Sequence, residues 1–251
     1  MQTLQIILLA ALLVGTAYCV RSLRALHQKT SSKFERISRE ITAATKDIKA
    51  SVLQSYRQGE AFSQLVALLK FSAPIPPTRS WAASPDLLLT IADLVRIHKP
   101  RLVVELGSGV STLIVAKSGA KKIISMDNSE EFADKTRELL KAHSVRGVEI
   151  RVAELAPHVS GVDWYDTSKF NDLKRIDLLI VDGPPGSKNP NARKPALSEL
   201  IGRLSPRAVI VIDDVNRDGE RELAEAFAEA LPNHVLTIYP HEKGTAVISP
   251  R

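Results

Sequence analysis

Acidic side chains and glycines follow short apolar runs in the second half of the sequence. Glu105-Leu106-Gly107-Ser108-Gly109 ends the first of these runs, and Asp127-Asn128 ends the second. Glycines in such a loop let the backbone approach a ligand closely, and the helix that follows directs its free amide groups towards it. The pattern predicts a nucleotide-type ligand bound beyond the ends of neighbouring strands.

The spacing within this loop distinguishes two classes of ligand. The dinucleotide fingerprint requires a third glycine three residues after the second, and Thr112 stands at that position. A pyrophosphate cofactor is therefore disfavoured. Asp127 comes 18 residues after Gly109, where a carboxylate can accept hydrogen bonds from both hydroxyls of a ribose. The alternative for Asp127 is a helix cap, because Asp127-Asn128-Ser129 also precedes a predicted helix.

A second group of acids follows the next two apolar runs in the domain. Asp182-Gly183-Pro184-Pro185-Gly186 follows one run, and Asp213-Asp214 follows the other. Because the carboxyl ends of parallel strands meet at one rim, these three carboxylates should converge. Such an oxygen-only set suits Mg²⁺ or Ca²⁺, which could hold the hydroxyl oxygens of a substrate and lower their proton affinity. The alternative is that Asp182 begins a turn and the aspartate pair caps a helix.

Proton transfer at this rim would need a base. Lys188, six residues past Asp182, is the first candidate, and His158, after the third apolar run, is the second. Arg193 and the Trp164-Tyr165 pair could line an acceptor pocket. Arg193 could equally be a solvated helix residue, and the two aromatic residues could belong to the core.

Apolar runs that alternate with helical patterns predict the elements that carry these residues. They indicate an α/β fold with a doubly wound parallel sheet covered by helices on both faces. The last two strands are separated only by residues 240–244, too few for a parallel crossover, so they should form an antiparallel hairpin. We expect five parallel strands and this hairpin, at residues 102–106, 122–126, 148–152, 177–181, 208–212, 235–239 and 245–248, with helices near 111–118, 130–143, 192–204 and 219–230.

These features together resemble the class I S-adenosylmethionine-dependent methyltransferases. Members of that family carry an acid two positions before the glycines, where it orders the loop and lies near the methionine amino group; Glu105 stands at that position. Their seven-stranded sheet ends with a strand inserted antiparallel beside the fifth. Glu154 would lie on the adenine side of the cofactor, or else be a solvated loop acid. The resemblance thus implies cofactor contacts from Glu105, Gly107, Ser108, Gly109, Asp127, Asn128 and Glu154.

The motifs on the acceptor side resemble those of metal-dependent O-methyltransferases of the catechol and macrocin-like types. The resemblance covers about residues 81–248. Catechol-type enzymes have an Asp-Asn pair after the fifth strand, whereas this chain has Asp213-Asp214, which keeps oxygen ligands but makes the site more negative. The resemblance implies methylation of a hydroxyl on a glycan, lipid-linked or natural-product acceptor, with Asp182, Asp213 and Asp214 as ligands of Mg²⁺ or another divalent ion. It rests on the Asp-Gly-Pro-Pro-Gly loop, Arg193-Lys194-Pro195-Ala196-Leu197 and Asp213-Asp214-Val215-Asn216-Arg217.

Two other functions stay open at this point. An RNA methyltransferase would share the fold and the cofactor residues. However, amino-methylating nucleic-acid enzymes carry a loop resembling Asn-Pro-Pro-Tyr after the fourth strand, and the domain here is nearly neutral where phosphate binding needs positive charge. A membrane-tethered interaction module without catalysis would also keep the fold.

The N-terminal region predicts a membrane anchor. Residues 4–20 carry no charge, and 17 residues is at the short end of what can span a hydrocarbon core about 30 Å thick. A cleaved signal peptide is disfavoured, because no Lys or Arg precedes the span and Tyr18 stands where a small residue is needed; a buried core helix is the third alternative. The basic residues that follow the span predict a cytoplasmic catalytic domain at a bacterial inner membrane. The single cysteine, Cys19, excludes an intrachain disulfide.

The segment after the span predicts a helical stalk. Five apolar residues recur there at alternating spacings of three and four, which would allow either pairing in a homodimer or an amphipathic helix on anionic lipid. Prolines in residues 71–80 end the helix. We therefore expect an anchor at 1–21, a stalk at 22–70, a proline-rich linker at 71–80 and a methyltransferase domain at 81–251. The stalk residues are Phe34, Ile37, Ile41, Ala44 and Ile48.

Overall fold

The N-terminal part of the chain is a long helix. A computed structural model describes residues 1–186 and 189–251, which divide into two compact units, Met1–Ser55 and Tyr56–Arg251. Helix α1 spans Gln2–Leu68, and its apolar first part is fully exposed. By length and composition alone, this helix could cross a membrane. The predicted limits of anchor, stalk and linker stay a prediction.

The last turns of α1 belong to the second unit and pack into its core. Leu65 and Leu69 are buried there. Gln58 donates a 2.6 Å hydrogen bond to Asp86, in the first turn of helix α2 (Pro85–His98). The sequence did not predict α2, although a proline in its first turn and a basic last turn are typical helix boundary signals.

The second unit is built on a twisted sheet with the predicted architecture. Within the described residues the sheet has seven strands, and a separate two-stranded hairpin lies outside it. The strands are β1 (Val103–Leu106), β2 (Ile123–Asp127), β3 (Val148–Val152), β4 (Leu155–Pro157), β5 (Asp163–Tyr165), β6 (Ile176–Val181), β7 (Leu204–Asp213), β8 (His234–Tyr239) and β9 (Thr245–Pro250). The order in the sheet is β3-β2-β1-β6-β7-β9-β8, and β4 pairs with β5.

The strand directions confirm the predicted fold class. β1 pairs in parallel with β2 and β6, and the outer pairs β2 with β3 and β6 with β7 are also parallel. β9 lies antiparallel between β7 and β8. The chain therefore has a doubly wound sheet that closes with an antiparallel hairpin.

Helices cover both faces of the sheet, which explains why the central strands are apolar throughout. Successive side chains of one strand enter opposite cores: Val103 packs into one cluster of buried residues and Val104 into the other. Helix α2 packs into one of these two clusters, and the helices that follow it in this part of the chain are α3 (Val110–Lys117), α4 (Glu130–Ala142), α5 (Pro195–Leu200) and α6 (Asp218–Ala230).

Two local features differ from the prediction. The helix expected near 192–204 is α5 followed by a short 3-10 helix, Ile201–Arg203, because residues 189–194 form turns before Pro195 opens the helix. The hairpin β4–β5 was not predicted, since two strands of three residues are too short to show a clear alternation.

Candidate functional site

The predicted site residues lie at the carboxyl ends of four adjacent strands. In the order β2-β1-β6-β7, these ends bring the loops after each strand to one rim of the sheet. Sequence order reverses around β1, which is where doubly wound sheets bind ligands. The rim therefore unites the cofactor loop, Asp127 and the acids after β6 and β7.

The two glycines of the cofactor loop have different environments. Gly107 has φ +95°, and a Cβ on it would lie 2.8 Å from the carbonyl oxygen of Asp182. A Cβ on Gly183 would lie 3.0 Å from the amide nitrogen of Gly107. The loops after β1 and β6 therefore touch backbone to backbone. Gly109 instead has open space beside it and stands at the start of α3.

Glu105 orders this loop through hydrogen bonds to its buried carboxylate. Its side chain is fully buried, and Oε2 accepts hydrogen bonds from the hydroxyls of Thr112 and Ser125. The Thr112 oxygen in turn accepts a 3.0 Å bond from the amide of Gly109. Burial raises the pKa of Glu105, and the hydroxyl donors oppose that shift. Thr112, which the sequence marked only as a missing glycine, thus connects the acid to the loop.

Asp127 holds the other side of the loop. Its Oδ2 accepts from the amide and hydroxyl of Ser108, at 3.2 and 2.6 Å, and its Oδ1 accepts from the amide of Ser129 at 3.0 Å. The side chain therefore binds the loop and also the start of the segment leading to α4. Asn128 is half-buried next to it, and Glu154 is exposed at the base of the β4–β5 hairpin.

Two cavities adjoin this rim. The larger, of about 350 Å³, lies beside the cofactor loop and contains the amino end of α3; the smaller, of about 260 Å³, lies between the loops after β2, β3 and β6. The larger is lined by Pro76, Pro77, Trp81, Ala82, Ala83, Gly107, Ser108, Gly109, Val110, Ser111, Phe132, Lys135, Thr136, Leu139 and Asp182. The smaller is lined by Asn128, Leu155, Asp163, Pro184, Pro185, Asn189 and Ala192.

The three predicted metal ligands converge. Each of Asp182, Asp213 and Asp214 offers an oxygen, and these atoms all lie within 4.8 Å of one another. Consecutive strand residues normally point to opposite faces. Asp214 escapes that rule because its φ is +66°, a left-handed conformation that Asp tolerates better than most residues. This turn brings both carboxylates of the pair to one cluster.

A buried arginine lies among Asp182, Asp213 and Asp214, which we call the acid cluster. Arg193 is only 4% exposed, and its Nη2 lies 3.2 Å from Asp182 Oδ1 and 2.9 Å from Asp214 Oδ2. Its guanidinium also donates to the carbonyls of Asp182, Pro184 and Asp213. The interpretation of Arg193 as a solvated helix residue is wrong, because it precedes α5 and its hydrogen bonds point inward. It neutralises one of the three negative charges.

Asp213, the third aspartate, makes no ion pair with Arg193. Both carboxylate oxygens of Asp213 are buried without a hydrogen-bond partner among the described residues, and Lys243 Nζ lies 3.8 Å away. Burial raises the pKa of Asp213 to about 8, with a further contribution from Asp182; burial likewise raises the pKa of Asp182 to about 6 against the lowering effect of Arg193. Lys243 and Arg217 also lie beside Asp213 and Asp214, so the case for a divalent ion rests on the oxygen-only ligand set of the three aspartates and not on their net charge.

The structure places His158, one of the two predicted bases, outside this cluster. His158, in the β4–β5 hairpin, has its Nε2 3.1 Å from Glu199 on α5 and its Nδ1 2.8 Å from the hydroxyl of Ser160. Lys188 lies outside the described residues. Trp164 and Tyr165 are core residues, as one of the two interpretations held.

Comparisons with known proteins agree with the fold. Residues 104–215 match the family model Methyltransf_24, a methyltransferase domain. No curated protein sequence matches the chain. An O-methyltransferase from Bacillus cereus in complex with S-adenosylhomocysteine is 16% identical, with a TM-score of 0.55 over 80% of this chain and 97% of that one.

Two further solved structures are similar to the same extent. The S-adenosylhomocysteine-bound methyltransferase PaMTH1 of Podospora anserina is 17% identical, with a TM-score of 0.55 over 81% of this chain and 95% of that one. TomG of Streptomyces achromogenes, an O-methyltransferase involved in tomaymycin synthesis and solved with S-adenosylmethionine, is 16% identical, with a TM-score of 0.55 over 79% and 96%. At these identities the similarity shows the fold alone.

Proposed function

We propose that this chain, an S-adenosylmethionine-dependent methyltransferase, transfers the methyl group to a hydroxyl oxygen of an acceptor held beside the acid cluster. The observation that carries the proposal is the convergence of Asp182, Asp213 and Asp214 next to the backbone contact between Gly107 and Gly183. The cofactor loop and an oxygen-binding site would then face one reaction centre. The relatives from Bacillus cereus and Streptomyces achromogenes, both named O-methyltransferases, support the choice of oxygen.

The cofactor would lie along the carboxyl ends of β1 and β2. Asp127 has lone pairs free to accept from the ribose hydroxyls, and Asn128 borders the smaller cavity, where the adenine would fit beside Leu155. The amino-acid end of the cofactor would enter the larger cavity, where the free amides of α3 and the ammonium of Lys135 favour a carboxylate.

Glu105 would act through the loop. Because Thr112 transmits its position to the amide of Gly109, the acid fixes the backbone against which the cofactor rests. Its second oxygen, Oε1, is buried without a partner among the described residues. An amino group of the cofactor could satisfy it directly or through water.

The acid cluster would hold a divalent ion through Asp182, Asp213 and Asp214. Such an ion would supply an acidifying charge for the acceptor hydroxyl. Arg193 would hold two of these carboxylates in place, and the buried setting would exclude water from the acceptor oxygen. We keep Lys188 and His158 as candidate bases; since His158 is paired with Glu199, its role requires that pair to separate or to relay the proton.

The N-terminal helix would anchor the enzyme in a membrane, with the catalytic unit in the cytoplasm. The exposed apolar first part of α1 and the basic residues after it support this topology. The stalk would then be free to pair in a homodimer. A reporter fused to the N-terminus tests the orientation, because activity of that reporter in the cytoplasm contradicts it.

Calorimetry of the full chain in detergent tests the cofactor proposal. We expect S-adenosylhomocysteine to bind, and Asp127→Ala to weaken the binding by about tenfold or more, as loss of two hydrogen bonds to a charged group would. The matched control is Asp218→Ala, an acid in the first turn of α6 that makes no ion pair among the described residues. Absence of binding by the wild-type chain would remove the enzyme function and leave the interaction module.

A methyl-transfer assay in chelator tests the metal and the acceptor class. Hydroxylated small molecules, saccharides, lipid-linked saccharides and RNA serve as acceptors, with and without added Mg²⁺. We expect hydroxyl acceptors to be methylated only when the ion is present. In Asp214→Asn, which can keep the left-handed backbone, added Mg²⁺ should no longer increase the activity. Full activity in chelator would contradict the metal site, and transfer to RNA alone would contradict the acceptor class.

A further inference from the structure

The edge of the sheet opposite the candidate site is strongly basic. Residues 71–251 contain 24 Lys and Arg and 24 Asp and Glu, so the region is neutral and its charges must be segregated to produce such an edge. Eight exposed cations lie before four of the five parallel strands or in the first half of the fifth, β7, and we call them the basic edge. These residues are Lys99, Arg101, Lys121, Lys122, Arg146, Lys174, Arg175 and Arg207.

Backbone contacts show that the basic edge is continuous. Ile123 donates to the carbonyl of Gly147, next to Arg146, and Val103 donates to the carbonyl of Lys122. Arg101 donates its amide to the side chain of Asp177, near the start of β6. Adjacent strands lie about 4.8 Å apart. The five strand starts therefore form a row of positive charge roughly 20 Å long.

The basic edge is not neutralised by the protein itself. None of its eight side chains makes an ion pair with any residue that the structure describes. Nearby acids compensate the eight cations only in part: Asp172 is paired with Arg151 and also attracts Lys122, Asp177 accepts from backbone amides, and Asp93 shares a surface with Arg96 and Lys99. The edge therefore keeps an excess of positive charge, which favours binding of an external polyanion.

Two of the eight residues have a backbone conformation that glycine would accept. Lys99 and Arg175 have φ values of +47° and +56°. Glycine adopts this left-handed region at no steric cost. Their side chains can therefore be removed without straining the backbone.

We propose that the basic edge docks on an anionic phospholipid surface. The same chain carries an apolar helix suited to a membrane, so a lipid surface is available to this protein. Ile97, 72% exposed between Arg96 and His98, offers an apolar side chain for the headgroup layer. No Phe, Tyr or Trp stands within two positions of any of these eight cations in the sequence, although base stacking on aromatics is the usual means of holding single-stranded nucleic acid.

This docking determines which way the candidate site faces. Strands of about five residues separate the basic edge from the acid cluster by roughly 17 Å. With the edge on lipid, the acid cluster faces the aqueous phase. The acceptor is then a soluble molecule, or a headgroup extended well above the bilayer. Only this consequence for the acceptor rests on the proposed function, since docking itself does not require methyl transfer.

Hydrogen–deuterium exchange of the full chain in vesicles tests the proposal. One preparation contains phosphatidylcholine alone, and the other contains phosphatidylcholine with phosphatidylglycerol. We expect the segments before β2, β3 and β6 to exchange more slowly on the anionic vesicles, and this protection to disappear at high salt. Residues 155–165, at the opposite rim, should exchange equally in both. Equal exchange of the edge segments in the two vesicles, or protection of 155–165 instead, would overturn the proposal.

Variants of the basic edge distinguish the effect of lost charge from the effect of lost folding. Each cation near an anionic surface contributes about fivefold to the docking equilibrium, so Lys121→Glu with Lys122→Glu should lower edge protection by more than tenfold. The control Arg221→Glu, on α6, should retain it. Lys99→Gly should weaken docking without lowering the melting temperature, because glycine fits the left-handed backbone.

Two further comparisons identify the kind of polyanion and separate the docking result from the methyl-transfer result. If RNA added to neutral vesicles protects the edge and phosphatidylglycerol does not, the surface is for nucleic acid and the proposal is wrong. Edge protection is measured without cofactor or acceptor. A failure of methyl transfer therefore leaves the docking result intact, and a failure of docking leaves the methyl-transfer proposal intact.

Discussion

Nη2 of Arg193 lies 2.9 Å from Oδ2 of Asp214, and both side chains are almost completely buried. The arginine comes from the loop before α5, whereas the aspartate follows β7, so this pair joins the two loops that form the acid cluster. The same nitrogen reaches Asp182. The pair therefore sets the geometry in which a divalent ion or an acceptor hydroxyl would be held.

Arg193→Met should destabilise the protein strongly. It removes the buried partner of Asp182 and Asp214 and leaves Asp214 paired, among the described residues, only with the partly exposed Arg217, at a cost of about 3–5 kcal/mol. Chemical denaturation measures this loss. Arg221→Met, at an exposed position of α6 without an ion pair among the described residues, should change stability by less than about 0.5 kcal/mol. Similar losses in the two variants would contradict the structural role of Arg193.

Gly107→Ala and Gly109→Ala should behave differently although they are two residues apart. A Cβ at 107 meets the carbonyl of Asp182 at 2.8 Å in a left-handed backbone, so we expect a loss of about 1–3 kcal/mol in stability together with weaker cofactor binding. A Cβ at 109 meets no atom within 4 Å, and Gly109 lines the larger cavity. It should leave the melting temperature unchanged and weaken only S-adenosylhomocysteine binding in calorimetry. Normal binding by both variants would contradict the assignment of this loop.

Thr112→Val tests the connection between Glu105 and the cofactor loop. Valine keeps the shape but leaves the Gly109 amide without its acceptor and removes one donor from a buried carboxylate, which costs about 1–3 kcal/mol. Thr112→Ser keeps the hydroxyl and should retain most of the stability and affinity. Thermal unfolding with and without S-adenosylhomocysteine measures both effects. If serine and valine are equivalent, the hydroxyl does not transmit the position of Glu105.

In chelator, the buried Asp213 should make stability fall as the pH rises. Burial raises its pKa from 3.8 to about 8, so the folded state holds this proton more tightly than the unfolded state. The stabilising contribution is complete below about pH 4 and is lost as the pH approaches 8. Asp213→Asn, which stays neutral, should flatten the profile of unfolding free energy against pH. Parallel profiles for the two proteins would contradict the raised pKa.

Local sequence patterns were enough to predict the architecture. Apolar runs of strand length, and a connection of five residues between the last two, predicted the parallel strands and the antiparallel ending, because side-chain periodicity and loop length limit the possible strand pairings. The glycine spacing and Thr112 disfavoured a dinucleotide cofactor for the same local reason. The hairpin β4–β5 and helix α2 were not predicted. The hairpin strands are too short to show periodicity, and α2 follows a proline-rich segment that was interpreted as a linker.

The sequence by itself determined the sheet, the position of the cofactor loop and the convergence of Asp182, Asp213 and Asp214, since each follows from where a strand ends. Only the tertiary structure decided that Arg193 lies within that acid cluster and that Thr112 links Glu105 to Gly109. It also decided that His158, a predicted base, pairs with Glu199 and not with the acid cluster. These contacts join side chains from different loops, and their partners depend on packing and burial. No periodicity in the sequence records which distant side chains fill the same buried space.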